Sequence, residues 1–556
     1  MGQGQTDQDN CSCEGHNNAV YTHNRIPGSK TPLCEPNTAM SISADLIESL
    51  QNPELWPHNS SKIEVIETHI SYLLLVGEYA YKIKKPLDLG FLDFSSLEKR
   101  QYYCEKELSL NRRLAPDTYL DVVAITGDSH HPEIGGNGPI IEYAVRMQRF
   151  PENGLLSQHI DRLSPELVDA LAKQVAVFHA GIDSADADSP WGSPELVFHP
   201  IQENFNTVRL LEHETEIAQQ LDRLEQWMGQ KYTDLTGSLA ARKADGFVRE
   251  CHGDMHLGNI TLIGDEAVIF DGIEFSDELR WVDVISEISF LIMDLEKRGR
   301  PELAQRFLNS YLEQTGDYAG LELLVFYKIY RAMVRAKITA IRLSQDDVMD
   351  DELLELQQDL HDYINLAESY TSLGQPALII THGVSGSGKS FTSKLLAMGL
   401  PAVHIRSDVE RKRLAGLRSD QASSSEFGNG IYSEEASWKT YQRLLDLAED
   451  IIAFGLVVIV DATFLKQEQR RLFAAMADRM LVPFLILNMR VSKQVLRERV
   501  RERLEHGNGV SEANEEILDR QLGMDIQLLE SEQEHIIEIT PDYPLSISEI
   551  RAKIET

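Results

Sequence analysis

The chain has 556 residues, 42% hydrophobic and 25% charged, a globular composition with apolar material for more than one core that excludes disorder or a fibre for its bulk. Its 53 Lys+Arg against 88 Asp+Glu leave a net charge of −35, a field that repels polyanions and argues against general nucleic-acid binding and against acidic membranes. The cysteines Cys11, Cys13, Cys34, Cys104 and Cys251 lack zinc-site pairing, no apolar run reaches the ~18 residues of a membrane span, and no basic-then-apolar leader opens the chain, so reduced thiols in a cytoplasmic protein are expected.

Residues 1–40 are rich in Asn, Gln, Ser, Thr, Gly and His and lack aliphatic periodicity, so they are expected to form a disordered tail. Met40, just before the first amphipathic segment, fits an internal start. From Ile63 the pattern turns strand-like: Ile63 to Ile70, Tyr72 to Val76, a Gly77-Glu78 turn, and Tyr79 to Lys84 predict three antiparallel strands. A helix over Leu97 to Leu114, closed by Ala115-Pro116, precedes strands at Tyr119 to Ile125 and Ile140 to Met147. Residues 164–245 read as helices, Val268 to Phe270 as a short strand, and Trp281 to about Ser372 as helical again, with the acidic stretch Gln345 to Asp362 a solvated helix face. Sheet first and helices later predict an α+β domain over residues 41–372. Gly374-Gln375-Pro376 marks a linker, 373–376, because proline disfavours helix at itself and at the residue before it. Beyond it, Ala377 to Thr381, Ala402 to Ile405, Val457 to Val460 and Leu485 to Met489 alternate with helical sequence, which predicts an α/β domain with a parallel sheet over 377–556.

Within the first domain, His252-Gly253-Asp254-Met255-His256-Leu257-Gly258-Asn259 is followed, after the short strand, by Asp271-Gly272-Ile273-Glu274. An aspartate, an asparagine five residues on and a second aspartate after a hairpin are the minimal set of a kinase: Asp254 to accept the proton of an acceptor hydroxyl, Asn259 and Asp271 to hold magnesium on a triphosphate. A zinc reading of His252 and His256 is set aside, since the motif lacks a third ligand and the glutamate of HExxH. Ala80-Tyr81-Lys82 offers the strand lysine and Glu107 the helix glutamate that pairs with it, although Lys84 shares the face of Lys82. Met147-Gln148-Arg149-Phe150 joins the sheet to the helices, where backbone amides are expected to meet adenine. No GxGxxG loop precedes Lys82, which departs from protein kinases. The set resembles the aminoglycoside phosphotransferase (kinase-like) superfamily, whose H-G-D-x-H-x-x-N segment and downstream Asp match residues 252–259 and 271, over about residues 41–370. The segments Thr68-His69-Ile70-Ser71, Tyr81-Lys82-Ile83-Lys84-Lys85-Pro86 and Gly90-Phe91-Leu92-Asp93-Phe94 look like a bacterial subfamily in which this domain is fused to a P-loop kinase.

In the second domain, Gly383-Val384-Ser385-Gly386-Ser387-Gly388-Lys389-Ser390 has the form GxxxxGKS between an apolar strand and a helix. Its backbone amides cradle phosphate, Lys389 reaches the β- and γ-phosphates, and the Ser390 hydroxyl ligates magnesium. Asp461 ends an apolar strand, where its carboxylate is placed to hold the metal through water. Asp408 emerges at the same edge as a candidate base, with Arg411 one helical turn on as a phosphoryl ligand. Arg499 and Arg503 share a helix face suited to a lid, or else belong to a salt-bridged surface helix with Glu498, Glu502 and Glu505. Residues 376–556 resemble small P-loop kinases of the gluconate kinase, polynucleotide kinase and zeta-toxin type, whose D-x-x-R matches Asp408 and Arg411 and whose lid arginines match Arg499 and Arg503.

Together the motifs predict a bifunctional phosphotransferase that uses ATP, or GTP, with Mg2+ and acts on hydroxyls of small molecules. Two other readings stand beside it: the P-loop domain as a nucleotide-sensing regulatory module, or as a nucleic-acid 5′-end kinase, against which the net charge argues. The acceptor sites are expected in the helical insertions 185–245 and 412–440, whose composition names no ligand.

Overall fold

Period-two alternation builds the first sheet. In the computed structural model, which describes residues 44–555 apart from 59–61, 91, 152, 213, 346–347, 373, 420, 422, 424–429, 507–514, 525–526 and 541–544, six strands share that sheet. They are β1 (Ile63–Glu67), β2 (Ser71–Val76), β3 (Tyr79–Lys84), β4 (Tyr119–Gly127), β5 (Pro132–Ile134) and β6 (Ile140–Gln148), in the order β1-β2-β3-β6-β4-β5, all antiparallel. The expected tail, with Cys11, Cys13 and Cys34, lies outside the described residues. Strand β1 stops at Glu67 rather than Ile70 because Thr68 closes a turn on Ser71, with its amide on the Ser71 carbonyl at 2.9 Å and its hydroxyl accepting the Ser71 amide at 3.0 Å. Gly77, at φ 59, then supplies the left-handed residue of the β2–β3 hairpin.

The helix Leu97–Asn111 starts at Ser96, whose hydroxyl accepts the Lys99 amide at 3.3 Å. It buries Arg100, Cys104, Glu107, Leu110 and Asn111, a stripe three to four residues apart that lays Glu107 against the sheet. It ends three residues before the expected Leu114, where the chain tightens into turns ahead of Pro116. The helical half contains Pro165–Gly181, Pro194–Leu211, Thr215–Ala244, Val284–Lys297, Pro301–Thr315, Leu321–Leu343 and Asp350–Ser369. Every residue from Val284 to Leu295 is buried, so that helix is the axis of this core. Four short strands, β7 (Val248–Glu250), β8 (Ile260–Ile263), β9 (Glu266–Ile269) and β10 (Trp281–Asp283), pair as β7 with β10 and β8 with β9 and frame the loops 251–259 and 270–276.

The remaining strands are parallel: β11 (Leu378–His382), β12 (Ala402–Arg406), β13 (Val457–Asp461), β14 (Phe484–Met489) and β15 (Ile536–Ile539), in the order β12-β13-β11-β14-β15. Four match the expected segments. The fifth, β15, is a four-residue run next to an acidic stretch, too short to carry a periodicity of its own. The crossover after β11 runs toward β12 and that after β13 runs toward β14, so the carboxyl edge between β11 and β13 is the switch point at which such sheets bind ligands.

Residues 42–556 form one compact unit, so the parallel sheet packs on the helical half rather than hanging from a free linker. The helix Pro301–Thr315 lies along β12, the sheet edge. Gln305 Nε2 and Asn309 Nδ2 donate to the Ala402 carbonyl at 2.8 and 3.0 Å, and Asn309 Oδ1 accepts the His404 amide at 2.8 Å. Two amide side chains thereby cover strand-edge groups that would otherwise face water or another chain. Among the described residues no helix is long and apolar enough to cross a membrane.

Candidate active sites

The first site forms where the antiparallel sheet meets the loops 251–259 and 270–276. Lys82, pointing from β3, donates to Glu107 Oε1 at 3.0 Å and to Asp271 Oδ1 at 2.5 Å. Lys84, two residues on and fully buried, donates to Glu107 Oε2 at 2.6 Å and pairs with Glu274. The two lysines therefore divide the labour: Lys84 is sealed in a structural pair, while Lys82, 14% exposed, faces the candidate metal ligand Asp271. Burial alone would lower the Lys82 ammonium, but the Asp271 and Glu107 carboxylates hold it well above its usual value. Burial would likewise raise Glu107, and the two ammoniums hold it low, whereas in Glu274 burial and the Glu107 charge prevail and raise it. In the sequence, Glu274 follows Asp271-Gly272-Ile273 with nothing to mark its role.

Asp254 and Asn259 meet inside one loop. Asn259 Nδ2 donates to the Asp254 carbonyl and to its Oδ2, both at 3.0 Å, which leaves Oδ1 as the ligating atom of Asn259. His256 Nδ1 accepts the Gly258 amide at 3.0 Å, which places the ring proton on Nε2, 3.3 Å from Asp254 Oδ2. Burial would raise the Asp254 carboxyl, but His256, then His252 and Arg335, hold it far below the ordinary carboxylate range, so it is an anion throughout the working pH range. His252 is a staple, not a metal ligand: its Nε2 pairs with the Phe270 carbonyl at 2.8 Å and its own carbonyl accepts the Ile273 amide at 2.9 Å. These bonds, with the Phe270 amide on the Asn259 carbonyl at 3.0 Å, lock the Asp254 loop to the Asp271 loop. Asp271 sits at φ 62, a left-handed conformation that a non-glycine residue rarely takes, held by its amide on the Tyr119 hydroxyl at 3.1 Å and by the Gly272 amide on Asn111 Oδ1 at 2.7 Å.

A residue that sequence reasoning missed carries this loop. Glu287, fully buried in the helix Val284–Lys297, accepts the amides of His252 and Gly253 at 2.7 and 2.9 Å, and Arg331 donates to the Gly253 carbonyl at 3.1 Å. Nothing but its place in the mostly apolar run 284–295 distinguishes Glu287 in the sequence. Glu287→Gln turns one acceptor into a donor against a backbone amide, a loss of about 1–3 kcal/mol. Its expected outcome is a lower thermal midpoint and loss of first-site activity, with nucleotide binding at the P-loop unchanged, read by calorimetry.

Met147 is buried in the apolar patch with Ala80, Val145 and Tyr119. The amides of Gln148 and Arg149 are spent on the Thr118 and Glu78 carbonyls, both at 2.8 Å, so they are not the amides that would meet adenine.

The second site is a cavity of about 650 Å3 at the switch point, lined by Ser385, Gly386, Gly388, Lys389, Ser390, Arg406, Asp408, Arg411, Asp461 and Arg499 among others. Gly386 and Gly388 take φ +80 and +95, and a Cβ on them would meet the Leu496 carbonyl at 3.0 Å and Arg499 Nη1 at 3.3 Å, so the loop closes only with glycine there. Gly383 has the same need: its Cβ would lie 2.9 Å from the hydroxyl of Ser387, itself buried. Lys389 Nζ bonds the Val384 carbonyl at 2.9 Å, curling over the loop it follows. The Ser385 amide is taken by Gln521 Oε1 at 2.8 Å, and Arg499 Nη1 approaches the Gly386 carbonyl at 3.4 Å, so two elements beyond β14 lean on the phosphate loop. The arginines flanking Arg499 pair instead with the helix Glu515–Leu522, through Arg497 to Asp519 and Arg501 to Glu515. The side chain of Arg503 lies outside the described residues.

Asp461 is buried at the end of β13, where His404 Nε2 lies 3.4 Å and Arg406 Nε 3.8 Å from its Oδ2. Burial would raise its carboxyl, but His404, Arg406 and Lys389 bring it down to about 2. His404 and Arg406 were missed in the sequence although their spacing of two puts them on one face of β12, with Arg406 opposite Asp461 in the ladder. Arg411 borders the cavity but gives Nη1 to the Ile431 carbonyl at 3.0 Å and to Ser437 Oγ at 3.1 Å, so it also anchors the segment leading into the next helix.

The donor sets fit a hard divalent cation: Asn259 and Asp271 in the first site, Ser390 and Asp461 in the second, are all oxygen ligands, few enough to leave positions for phosphate oxygens and water.

These two sites on these two folds define a kinase-like phosphotransferase domain followed by a P-loop kinase domain. A profile of the Phosphotransferase enzyme family matches residues 103–324, and one of an AAA domain matches 378–524. Uncharacterized proteins of Mycobacterium tuberculosis (strain ATCC 25618 / H37Rv) and of Mycobacterium bovis are each 30% identical over 404 residues, covering 72% of this chain and 78% of theirs, and the chain belongs to their family. Solved structures with similarity include an amicoumacin kinase (TM-score 0.38, 13% identity, 57% of this chain and 93% of that one). A gluconokinase from Sinorhizobium meliloti 1021 also matches (TM-score 0.22, 19% identity, 32% of this chain and 90% of that one). Kinase-type domains of both kinds imply ATP and a divalent metal.

Proposed function

We propose that the protein is a two-headed, Mg2+-dependent phosphotransferase in which each head moves the γ-phosphoryl group of ATP to a hydroxyl of a small molecule. The observation that carries this reading is that each half assembles its own set of polar groups, Lys82, Asp254, Asn259 and Asp271 in one and Lys389, Ser390, Asp408 and Asp461 in the other, within the compact unit of residues 42–556. In the first head Lys82 binds phosphate oxygens, Glu107 holds Lys82 in place, and Asp254 orients the acceptor hydroxyl and receives its proton as the acceptor oxygen bonds to the γ-phosphorus and the bond to the ADP oxygen breaks. In the second, Lys389 and the loop amides bind the β- and γ-phosphates, Asp408 takes the acceptor proton, and Arg499 neutralises charge on the transferring group. Bound magnesium supplies charge neutralisation across the phosphate oxygens, held by Asn259 and Asp271 in one head and Ser390 and Asp461 in the other.

The net charge of −35 favours free metabolites over nucleic acid as acceptors, and the buried thiols Cys104 and Cys251, outside any disulfide, suit a cytoplasmic protein. ATP fits the cradle, while GTP is distinguished only by its base. Calorimetric titration with a non-hydrolysable ATP analogue and Mg2+ is expected to saturate at two nucleotides per chain. Saturation at one, with the Lys389→Ala variant unaltered, would overturn the two-headed reading in favour of a single kinase head.

A further inference from the structure

The kinase-like half reaches into the phosphate site of the other half through one carboxylate. Glu313, in the last turn of the helix Pro301–Thr315, accepts Arg406 Nη1 at 2.8 Å, and the two side chains are only 19% and 11% exposed. Arg406 closes β12, and its Nε stands 3.8 Å from Asp461 Oδ2, buried and without a hydrogen-bond partner. The guanidinium is therefore stretched between two carboxylates, one from each half, and bonds only the one that is not a candidate metal ligand.

Everything around Glu313 is fixed. Asn309, one helical turn earlier, holds β12 by the His404 amide and the Ala402 carbonyl, and Arg413 donates to the Glu313 carbonyl at 2.7 Å. Gly316, at φ +73, lets the chain turn so closely that a Cβ there would strike Arg413 Nε at 2.7 Å. This junction is too tightly built to serve only as a spacer. If Glu313 were removed, the carboxylate left within ion-pair distance of Arg406 among the described residues would be Asp461, ahead of Asp408, and the planar fork of arginine favours a two-point pair with a carboxylate. Such a pair would engage the oxygens that Asp461 needs for the metal.

We propose that Glu313 is a positioning residue of the P-loop site: it holds Arg406 off Asp461, so that metal-dependent nucleotide binding in the second head requires a side chain of the first. This rests on the reading above that Asp461 serves the metal in a nucleotide site.

The test uses the full-length chain and the Mg2+ dependence of binding of a non-hydrolysable ATP analogue, followed by calorimetry, with Lys389→Ala marking which site is the second. Glu313→Ala is expected to raise the Mg2+ concentration for half-saturation at that site by about tenfold or more, the usual effect of losing a partner that orients a metal ligand. Glu313→Gln, which still accepts from Arg406, is expected to stay near wild type. The double variant Glu313→Ala/Arg406→Ala, with no guanidinium to capture Asp461, is expected to return toward wild type, which a merely structural loss would not do. Glu313→Met keeps the volume, drops the acceptor and carries the same expectation if the alanine variant fails to fold. An unchanged Mg2+ requirement in Glu313→Ala and Glu313→Met, or a double variant no better than the single, overturns the inference alone. If Lys389→Ala removes no site, the reading beneath it falls and the inference falls with it.

Discussion

Asp254→Ala is expected to lower phosphoryl transfer by the first head by about 10²- to 10⁴-fold, the span typical of a positioned acid or base. Nucleotide binding should survive, because Lys82 reaches Asp271 and Glu107 but makes no bond to Asp254. The low proton affinity of Asp254, set by His256, His252 and Arg335 against the effect of burial, makes it a weak base. In the proposed reaction its larger service would be to fix the acceptor oxygen in line, which suits a loose transfer in which the proton leaves late. Two consequences separate this from simple damage to the fold. Asp254→Asn retains an acceptor for Asn259 and should fold like wild type while remaining slow. The folded-state carboxyl lies below its unfolded value, so Asp254 stays charged above the ordinary carboxylate range, and the first-head rate should show no acid limb from this group at pH 5 or above. An Asp254→Ala chain with undiminished first-head transfer would remove this residue from the chemistry.

Lys389→Ala should cost the second head about 10²- to 10³-fold, comparable to removing one preorganised donor from a developing charge. The lysine ends a loop whose geometry needs Gly386 and Gly388, and its Nζ bends back over that loop to the Val384 carbonyl. Lys389→Arg keeps the charge but overfills the same space and is expected to recover little. First-head products should be unchanged, since neither Lys82 nor Asp254 contacts the P-loop among the described bonds. A second-head rate that survives Lys389→Ala would mean that this loop is not where phosphate is held.

The parts of both sites that a reader of the sequence can find are those in which one short segment performs several tasks. Asp254, Asn259 and Asp271 lie within eighteen residues around one hairpin, and the phosphate loop is eight consecutive residues, so spacing alone places them. Residues that act across the fold leave no such trace. Glu287 holds the Asp254 loop from a helix begun 30 residues later, and the reason for its burial there is visible only once the loop amides are seen to need an acceptor. The choice between Lys82 and Lys84 stayed open in the sequence because both point to one face of β3, and what separates them is Glu274, which reaches back to Lys84 and leaves Lys82 to Asp271. The fifth parallel strand escaped because four residues show no period. The junction of Asn309, Glu313, His404 and Arg406 escaped because each of its two segments reads as ordinary: a surface helix and an edge strand, informative only when docked.

The central claim, two independent transferring heads in one chain, is tested most directly by tracing the label of γ-labelled ATP into a cell-extract metabolite pool with wild type, Asp254→Ala and Lys389→Ala, and resolving the products by mass spectrometry. Two classes of labelled product are expected from the wild type, with Asp254→Ala removing one class and Lys389→Ala removing the other. A single class, abolished by Asp254→Ala and untouched by Lys389→Ala, would contradict it.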